Sequence, residues 1–123
     1  MIDVAAAVII REGKVLLASR PADKPPAGWE FPGGKLESGE SVADAAVREL
    51  QEELTLDVTP AEVIFKLDTE KIRLHFIRCF INGNSEPQPR ENQHFCWHEL
   101  SPEPPEGLLK NDLFFWNFLI SVK

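Results

Sequence analysis

Residues 33–56 read GGKLESGESVADAAVRELQEELTL, and the middle of this stretch has a strong helical pattern. Ser41 is a favourable N-cap residue, and Asp44 follows three positions later in a weaker form of the capping box. Apolar residues then recur at helical spacing as far as Leu54. The pattern predicts a helix over residues 41–54, preceded by a loop that starts with two glycines.

Three glutamates of this helix, Glu49, Glu52 and Glu53, stand at positions i, i+3 and i+4, so their carboxylates emerge on one face. Like charges at this spacing destabilise a helix by roughly 0.2–0.5 kcal/mol per pair. An ordinary acidic surface is the simplest interpretation. A bound Mg²⁺ is the alternative that compensates the charge, because this ion binds carboxylates together with water and substrate phosphates. The Gly33 carbonyl is a further candidate ligand, since glycine has no Cβ to block the approach.

These residues carry a resemblance to a known family of hydrolases. The pattern G-x5-E-x7-R-E-U-x-E-E-x-G-U, in which U is aliphatic, is the Nudix box, and the chain resembles it closely. The box positions that match are Gly34, Glu40, Arg48, Glu49, Leu50, Glu52, Glu53 and Leu56.

One position departs from the box, because Thr55 stands where the family has its final glycine. That position suits a residue with positive φ just past a helix, a conformation that is unfavourable for a β-branched side chain. Either the helix ends differently here or the backbone is strained. The expected metal ligands are not affected.

Size and charge limit the classes of protein to consider. The chain has 123 residues, which predicts a single domain over residues 1–123, and its net charge is −7. That charge argues against binding a nucleic acid polymer through a basic surface. No apolar run reaches transmembrane length, so we expect no membrane partner and a cytoplasmic protein. Cys79 and Cys96 are expected to be buried free thiols. The state of assembly, monomer or homodimer, stays open.

Two strands are predicted before the box, over residues 4–10 and 15–18, joined by a hairpin turn at Glu12 and Gly13. Residues 5–7 are all alanine, which indicates either a helix packed closely over the sheet or room for a flat base. Further extended segments are predicted over residues 29–31, at Val58 and over residues 63–67, 72–81 and 95–97.

Residues 110–122 are strongly apolar and are predicted to form a terminal helix capped by Asn111 or Asp112, with a strand as the weaker alternative. The order of elements fits an α/β (α+β) fold in which a mixed central sheet carries helices on both faces. The Nudix resemblance implies the same architecture, an α/β/α sandwich.

A second resemblance extends beyond the box. Residues 29–37, WEFPGGKLE, are similar to the W-E-F-P-G-G-K-x-E run of MutT-type Nudix members. Those members hydrolyse nucleoside triphosphates, notably oxidised purine ones such as 8-oxo-dGTP, to the monophosphate and pyrophosphate. The resemblance implies substrate-binding roles for Arg20, Phe31, Gly34, Lys35 and Asn111. Plainer interpretations exist for several of them: Arg20 as loop cover, Phe31 as core and Asn111 as a helix cap.

The resemblance also implies a mechanism. Mg²⁺ or Mn²⁺ would be held by the Gly33 carbonyl, Glu49, Glu52 and Glu53, with Glu91 near a further ion. Glu91 begins an E-x-Q-x-x-x-W stretch that MutT-type members share, although a plain surface position is the alternative. Glu53 or Glu49 would deprotonate or orient the attacking water. Arg48 is expected to orient a carboxylate of the box, such as Glu49 or Glu37.

The predicted function is therefore metal-dependent hydrolysis of a nucleoside triphosphate, with 8-oxo-dGTP first among substrates and pool sanitation in support of DNA repair as the role. Hydrolysis of CTP, of dCTP or its methylated form, or of another diphosphate-linked nucleotide is the alternative. A nucleotide-sensing regulatory domain without turnover is the non-enzymatic alternative, and it is disfavoured because the box acids are all present.

Overall fold

The computed structural model describes residues 1–20, 27–90 and 93–122, and within them the chain forms eight strands and two helices. The strands are β1 (Ile2–Val8), β2 (Ile10–Arg11), β3 (Lys14–Ser19), β4 (Trp29–Glu30), β5 (Gly33–Lys35), β6 (Val58–Asp68), β7 (Ile72–Ile81) and β8 (Phe95–Glu99). The helices are α1 (Val42–Leu54) and α2 (Lys110–Val122).

The strands form two sheets. The first has the order β5-β1-β7-β6, in which β1 and β7 are parallel and the other neighbours are antiparallel. In the second, β3 pairs antiparallel with β2, β4 and β8. The first sheet is thus mixed, as predicted, and β5 brings Gly33 and Gly34 to its edge beside β1.

The helices cover opposite faces of the first sheet. Side chains point to alternate faces along β1, so neighbouring residues of this strand face different helices. Ala5 and Ala7 belong to the core cluster under α1, whereas Ala6 and Val8 belong to the cluster under α2. The predicted α/β/α sandwich is confirmed. Close packing of helices accounts for the small side chains of the alanine run, all of which are buried.

Aromatic rings fill the core beneath α2. The rings of Phe76 and Phe115 stack with their centroids 4.1 Å apart, and Phe31 meets both rings edge-on. Buried Trp116 donates from Nε1 to the Ser101 carbonyl at 2.9 Å. Within the described residues, neither helix combines the length and the apolar character needed to cross a membrane.

The first predicted strand is wrong in its extent. The apolar run over residues 4–10 does not continue as one strand, because β1 ends at Val8 and the chain then changes sheets, so that Ile10 pairs with Val15. Both sheets bury apolar residues, so hydrophobicity alone does not reveal the crossing. The hairpin turn is where it was predicted, and Glu12 and Gly13 both have positive φ, at 52° and 75°.

The predicted cap of α2 is also wrong. The Leu113 amide donates to the Leu109 carbonyl at 2.9 Å, so the helix begins after Leu109 and both Asn111 and Asp112 lie in its first turn. Asp112 has a different partner, because its Oδ1 accepts from the amide of Phe31 at 3.1 Å. A capping role and this tertiary contact use the same oxygen atoms, and the tertiary contact prevails.

The end of α1 resolves the question raised by Thr55. Its φ of 50° and ψ of 36° are left-handed, so the strained alternative is correct. The Thr55 amide donates to the Gln51 carbonyl at 3.1 Å, the bond of an αL cap, and the Leu56 amide donates to the Leu50 carbonyl at 3.2 Å. Buried Leu56 then packs in the core under α1, and this contact stabilises a turn that the β-branched residue disfavours.

The two cysteines match the prediction in part. Both carry free thiols, but only Cys79 is buried, whereas Cys96 is half-buried.

Candidate active site

Helix α1 presents its carboxylates toward the sheet edge formed by β5. The Ser41 hydroxyl accepts from the Asp44 amide at 3.0 Å, which fixes the start of the helix. Ala45, Ala46, Leu50 and Leu54 are buried on the sheet, so rotation of the helix is fixed as well. Glu49 and Glu53 consequently stand half-buried, whereas Glu52 is exposed.

Arg48 organises the acids on the outer side of this group, and we call Arg48 with Glu37, Glu40, Glu49 and Glu52 the Arg48 cluster. Its guanidinium donates two bonds to Glu40, at 2.8 and 2.9 Å, one to Glu49 at 2.9 Å and one to Glu52 at 3.2 Å. A further bond of 3.0 Å reaches the Lys35 carbonyl.

The contact expected between Arg48 and Glu49 is present, and Glu37 lies 3.5 Å from the same guanidinium. Hydrogen bonds from Arg48, followed by one from the Glu37 amide, lower the pKa of Glu40 to about 2. Part of the positive charge that the acidic face required is therefore supplied by the protein itself.

Glu53 has the opposite environment. Its Oε2 accepts from the Gly33 amide at 3.0 Å and its Oε1 accepts from the Gln93 side-chain amide at 3.2 Å. Burial, with the negative charges of Glu49 and Glu30 as further causes, raises the pKa of Glu53 to about 8, although both hydrogen bonds oppose the shift. Glu53 is thus a carboxyl group with two neutral donors in a region of negative potential.

Gly33 and Gly34 both stand where the chain closely approaches neighbouring atoms. A Cβ on Gly34 would lie 2.5 Å from the carboxyl carbon of Glu49, and a Cβ on Gly33 would collide with the Ala5 carbonyl oxygen. Gly33 thus excludes a side chain, whereas a side chain at Gly34 would displace the Glu49 carboxylate, and the absence of both lets α1 pack directly against β5, where Glu53 reaches the Gly33 amide. Lys35, expected to bind substrate, is exposed at the end of β5.

A second polar group, made of Asp112, Glu30 and Arg20, lies where α2 meets β4. Asp112 is buried, and burial is the main cause that raises its pKa to about 7, with the charge of Glu30 adding to the shift. Arg20 lies 3.8 Å from Glu30 and acts in the opposite direction on Asp112. Glu30 raises the pKa of both Glu53 and Asp112, so the two polar groups are close enough to interact.

The structure favours the core interpretation of Phe31 over a substrate-binding role for its ring. Only 3% of Phe31 is exposed, and its ring packs edge-on against Phe76 and Phe115 in the core. The ring has no surface to offer a base. The contribution of Phe31 to the site is its backbone amide, which binds Asp112.

Other candidates are distributed around these groups. Asn111 is half-buried in the first turn of α2, beside Asp112 in sequence. Glu91 lies outside the described residues. Sequence analysis missed Gln93, Glu30 and Asp112 as members of the site. The E-x-Q pattern contained Gln93, but the expected role was given only to the glutamate.

The donor set fits a hard divalent cation such as Mg²⁺ or Mn²⁺ in its chemistry. Carboxylates and a backbone carbonyl are the oxygen ligands that such ions prefer, and Glu53 is buried among negative charges that a cation would offset. In residues 1–20, 27–90 and 93–122, however, no three His, Cys, Asp or Glu side chains already converge as a ready metal site. Glu49 and Glu52 both contact Arg48.

Comparisons with known proteins give consistent results. A family model described as NUDIX domain matches residues 1–112. The chain is 55% identical over 65 residues to a CTP pyrophosphohydrolase of Escherichia coli K12, which covers 52% of this chain and 48% of that protein. It is 46% identical over 63 residues to an 8-oxo-dGTP diphosphatase of Proteus vulgaris, covering 50% of this chain and 56% of the relative.

The chain thus spans about half the length of these two relatives. Likeness in structure extends further. The solution structure of the E. coli ORF135 protein superposes with a TM-score of 0.78, at 34% identity over 99% of this chain and 90% of that one.

Proposed function

The chain belongs to the NUDIX domain family, and on that premise we propose that it is a metal-dependent pyrophosphohydrolase of nucleoside triphosphates. The products would be the nucleoside monophosphate and pyrophosphate. The observation that carries the proposal is the half-buried Glu53 carboxylate, which is held by the Gly33 amide and Gln93 and stands beside Glu49 and Glu30.

The reaction requires water to attack a phosphorus atom while a phosphoanhydride bond breaks and pyrophosphate or the monophosphate leaves. Its barrier comes mainly from charge and positioning, so oriented carboxylates supply much of the catalysis. Glu53 would accept the proton of the water or orient it, with Glu49 as the alternative. Arg48 would keep Glu49 in place through its 2.9 Å bond rather than touch the substrate.

Mg²⁺ or Mn²⁺ would be held by the Gly33 carbonyl, Glu49, Glu52 and Glu53, with Glu91 as a further ligand. When bound, the ion would neutralise phosphate charge and activate water. Its binding at Glu49 and Glu52 would compete with Arg48 for carboxylate oxygens, and each of these glutamates would offer its second oxygen for coordination, since its contact with Arg48 uses one.

The base would lie at the second polar group. Arg20 and Asn111 are the proposed contacts, and the buried Asp112 carboxyl beside Asn111 adds a group that donates when protonated and accepts when ionised. An oxidised purine such as 8-oxo-dGTP is the first candidate, supported by the Proteus vulgaris relative. CTP is the second candidate, and the 55% identity to the CTP pyrophosphohydrolase favours it.

The test is pyrophosphate release in Mg²⁺ from a panel of 8-oxo-dGTP, dGTP, CTP, dCTP, 5-methyl-dCTP and ADP-ribose. The proposal predicts turnover of at least one triphosphate that stops when EDTA removes the metal. The ratio of kcat/KM values for 8-oxo-dGTP and CTP then selects between the two bases. Tight nucleotide binding without turnover of any member would contradict the proposal and favour a regulatory domain.

A further inference from the structure

The chain after β7 returns to the C-terminal end of α1, the end that carries Glu53. The amide of Gln88 donates to the Leu54 carbonyl at 2.6 Å, and the amide of Arg90 donates to the Glu53 carbonyl at 3.0 Å. The last carbonyls of a helix have no partner inside the helix, so they require donors from elsewhere. Residues 88 and 90 supply those donors, which fixes this part of the chain relative to the proposed catalytic acid.

The backbone around Gln93 is fixed on both sides. Its own amide donates to the Arg90 carbonyl at 3.1 Å. The next residue, His94, exchanges two bonds with Ser19 of β3, at 2.8 Å to the hydroxyl and 2.9 Å from the Ser19 amide. Gln93 is therefore held between the end of α1 and the second sheet, and its half-buried side chain extends from a fixed backbone.

The side chain of Gln93 meets the carboxylate of Glu53. Nε2 of Gln93 donates to Oε1 at 3.2 Å, and the Gly33 amide donates to Oε2 at 3.0 Å, so each carboxylate oxygen receives one donor. One donor lies on β5 and the other on the segment that precedes β8, and together they bracket the carboxylate, which limits rotation of its terminal torsion. A carboxylate without these contacts would sample a broad range of that angle.

We propose that Gln93 is a positioning residue for Glu53, and this inference rests on the catalytic and metal-binding role proposed for that glutamate. An amide suits the task because it donates a hydrogen bond and adds no positive charge. A lysine or arginine at this position would form an ion pair with Glu53 and compete with a metal ion for its oxygens. Partners that orient ligand or catalytic carboxylates in this way typically contribute roughly 10–100-fold in metal affinity or activity.

The test compares Q93M with Q88M. Methionine has similar length and no amide donor, so Q93M removes the bond to Glu53 and leaves the backbone contacts. Q88M is the matched control, because Gln88 lies in the same part of the chain with an exposed side chain and contacts α1 through its backbone. Three quantities are measured for each: Mn²⁺ affinity without nucleotide, from the electron paramagnetic resonance of free Mn²⁺; kcat and KM; and the thermal unfolding midpoint.

The proposal predicts that Q93M lowers Mn²⁺ affinity and kcat by about tenfold or more, with KM and the unfolding midpoint nearly unchanged. Q88M should match the wild type throughout. If Q93M behaves like Q88M in Mn²⁺ affinity and kcat, or if its losses only follow a lowered unfolding midpoint, the proposal is wrong. If no chain hydrolyses any nucleotide, the proposed function fails, and Mn²⁺ affinity still decides whether Gln93 positions Glu53.

Discussion

Glu40 and Glu53 belong to the same sequence motif but have opposite surroundings. Glu40 receives two hydrogen bonds from the Arg48 guanidinium, and these bonds lower its pKa to about 2. Glu53 receives its bonds from two neutral amides, and burial raises its pKa to about 8. Asp112 resembles Glu53, because it too is buried with a backbone amide as partner, and its pKa is raised to about 7.

The opposite surroundings of Glu40 and Glu53 suit two different tasks. The charge of Glu40 is compensated within the protein by Arg48, so Glu40 maintains the shape of the site whether or not a ligand is present. Half-buried Glu53 and buried Asp112 instead have raised pKa values, because their negative charge is poorly stabilised by the protein. Positive charge or hydrogen bonds from a ligand would therefore stabilise these two carboxylates most. Substitution of these residues removes one kind of surroundings, and titration measures the pKa difference between them.

The largest effect is expected from E53Q, which removes the ionisable group and keeps its shape. Turnover in Mg²⁺ should fall by roughly 10³-fold or more, because an oriented charge at the reacting centre is lost. The fold should persist, which circular dichroism checks. E62Q is the control, since Glu62 is exposed on β6, and it should retain wild-type kcat. Turnover of E53Q within tenfold of the wild type would remove Glu53 from the mechanism.

A smaller loss of activity is expected from R48A, which removes the cation of the Arg48 cluster. Glu40 and Glu49 then lose their shared partner, and Glu49 becomes free to turn away from the site. We expect kcat to fall by about 10–100-fold, the range typical of groups that orient ligands. R48K should recover little of it, because lysine lacks the planar fork that binds two carboxylates. Unchanged kcat in R48A would show that the cluster has no part in catalysis.

The raised pKa of buried Asp112 predicts that the free energy of unfolding depends on pH. In an unfolded chain Asp112 titrates near about 3.9, whereas in the folded protein its pKa is raised to about 7. The stability that its protonated carboxyl contributes is complete below about pH 4 and is lost as pH rises through about 7. D112N does not titrate, so its stability relative to the wild type should increase on the order of 3 kcal/mol between about pH 4 and pH 8.

Urea unfolding of both proteins at the two pH values measures this change. D44N serves as the control, because Asp44 is exposed in the first turn of α1 and carries the same nominal charge. A difference between D112N and the wild type that is the same at both pH values would contradict the raised pKa.

The smallest effect concerns Thr55, the exposed residue at the C-terminal end of α1. T55G should raise the free energy of unfolding by about 1 kcal/mol, since glycine adopts the left-handed conformation without the cost that a β-branched residue incurs. Thermal denaturation measures it, with kcat as a check that the site is unaltered. A destabilised T55G would indicate that the Thr side chain contributes contacts that outweigh the strain.

Local patterns predicted much of this architecture. The N-cap at Ser41, the apolar spacing up to Leu54 and the alternation over residues 72–81 depend on near neighbours, and the corresponding elements lie where they were expected. Strain at Thr55 was one of two alternatives that the sequence left open, because the box has glycine at a position that suits positive φ.

Contacts between distant parts of the chain could not be predicted in this way. Gln93 and Glu53 are 40 positions apart, and Phe31 and Asp112 are 81 apart. Asp112 looked like a helix cap because capping and tertiary bonding use the same atoms, and only the fold decides which partner is present. Burial of the Phe31 ring likewise depends on α2 packing over the sheet, which a local pattern does not encode.

The most direct test of the pKa difference between Glu40 and Glu53 is a ¹³C NMR titration of the side-chain carboxyls in the protein without added metal. Both residues are followed in the same spectra. We predict that Glu40 stays ionised to the lowest pH at which the protein is folded, in line with a pKa of about 2, and that Glu53 titrates at about 8. Equal pKa values near the ordinary value of about 4.3, or a Glu53 pKa below that of Glu40, would contradict the division of the acids on which the account depends.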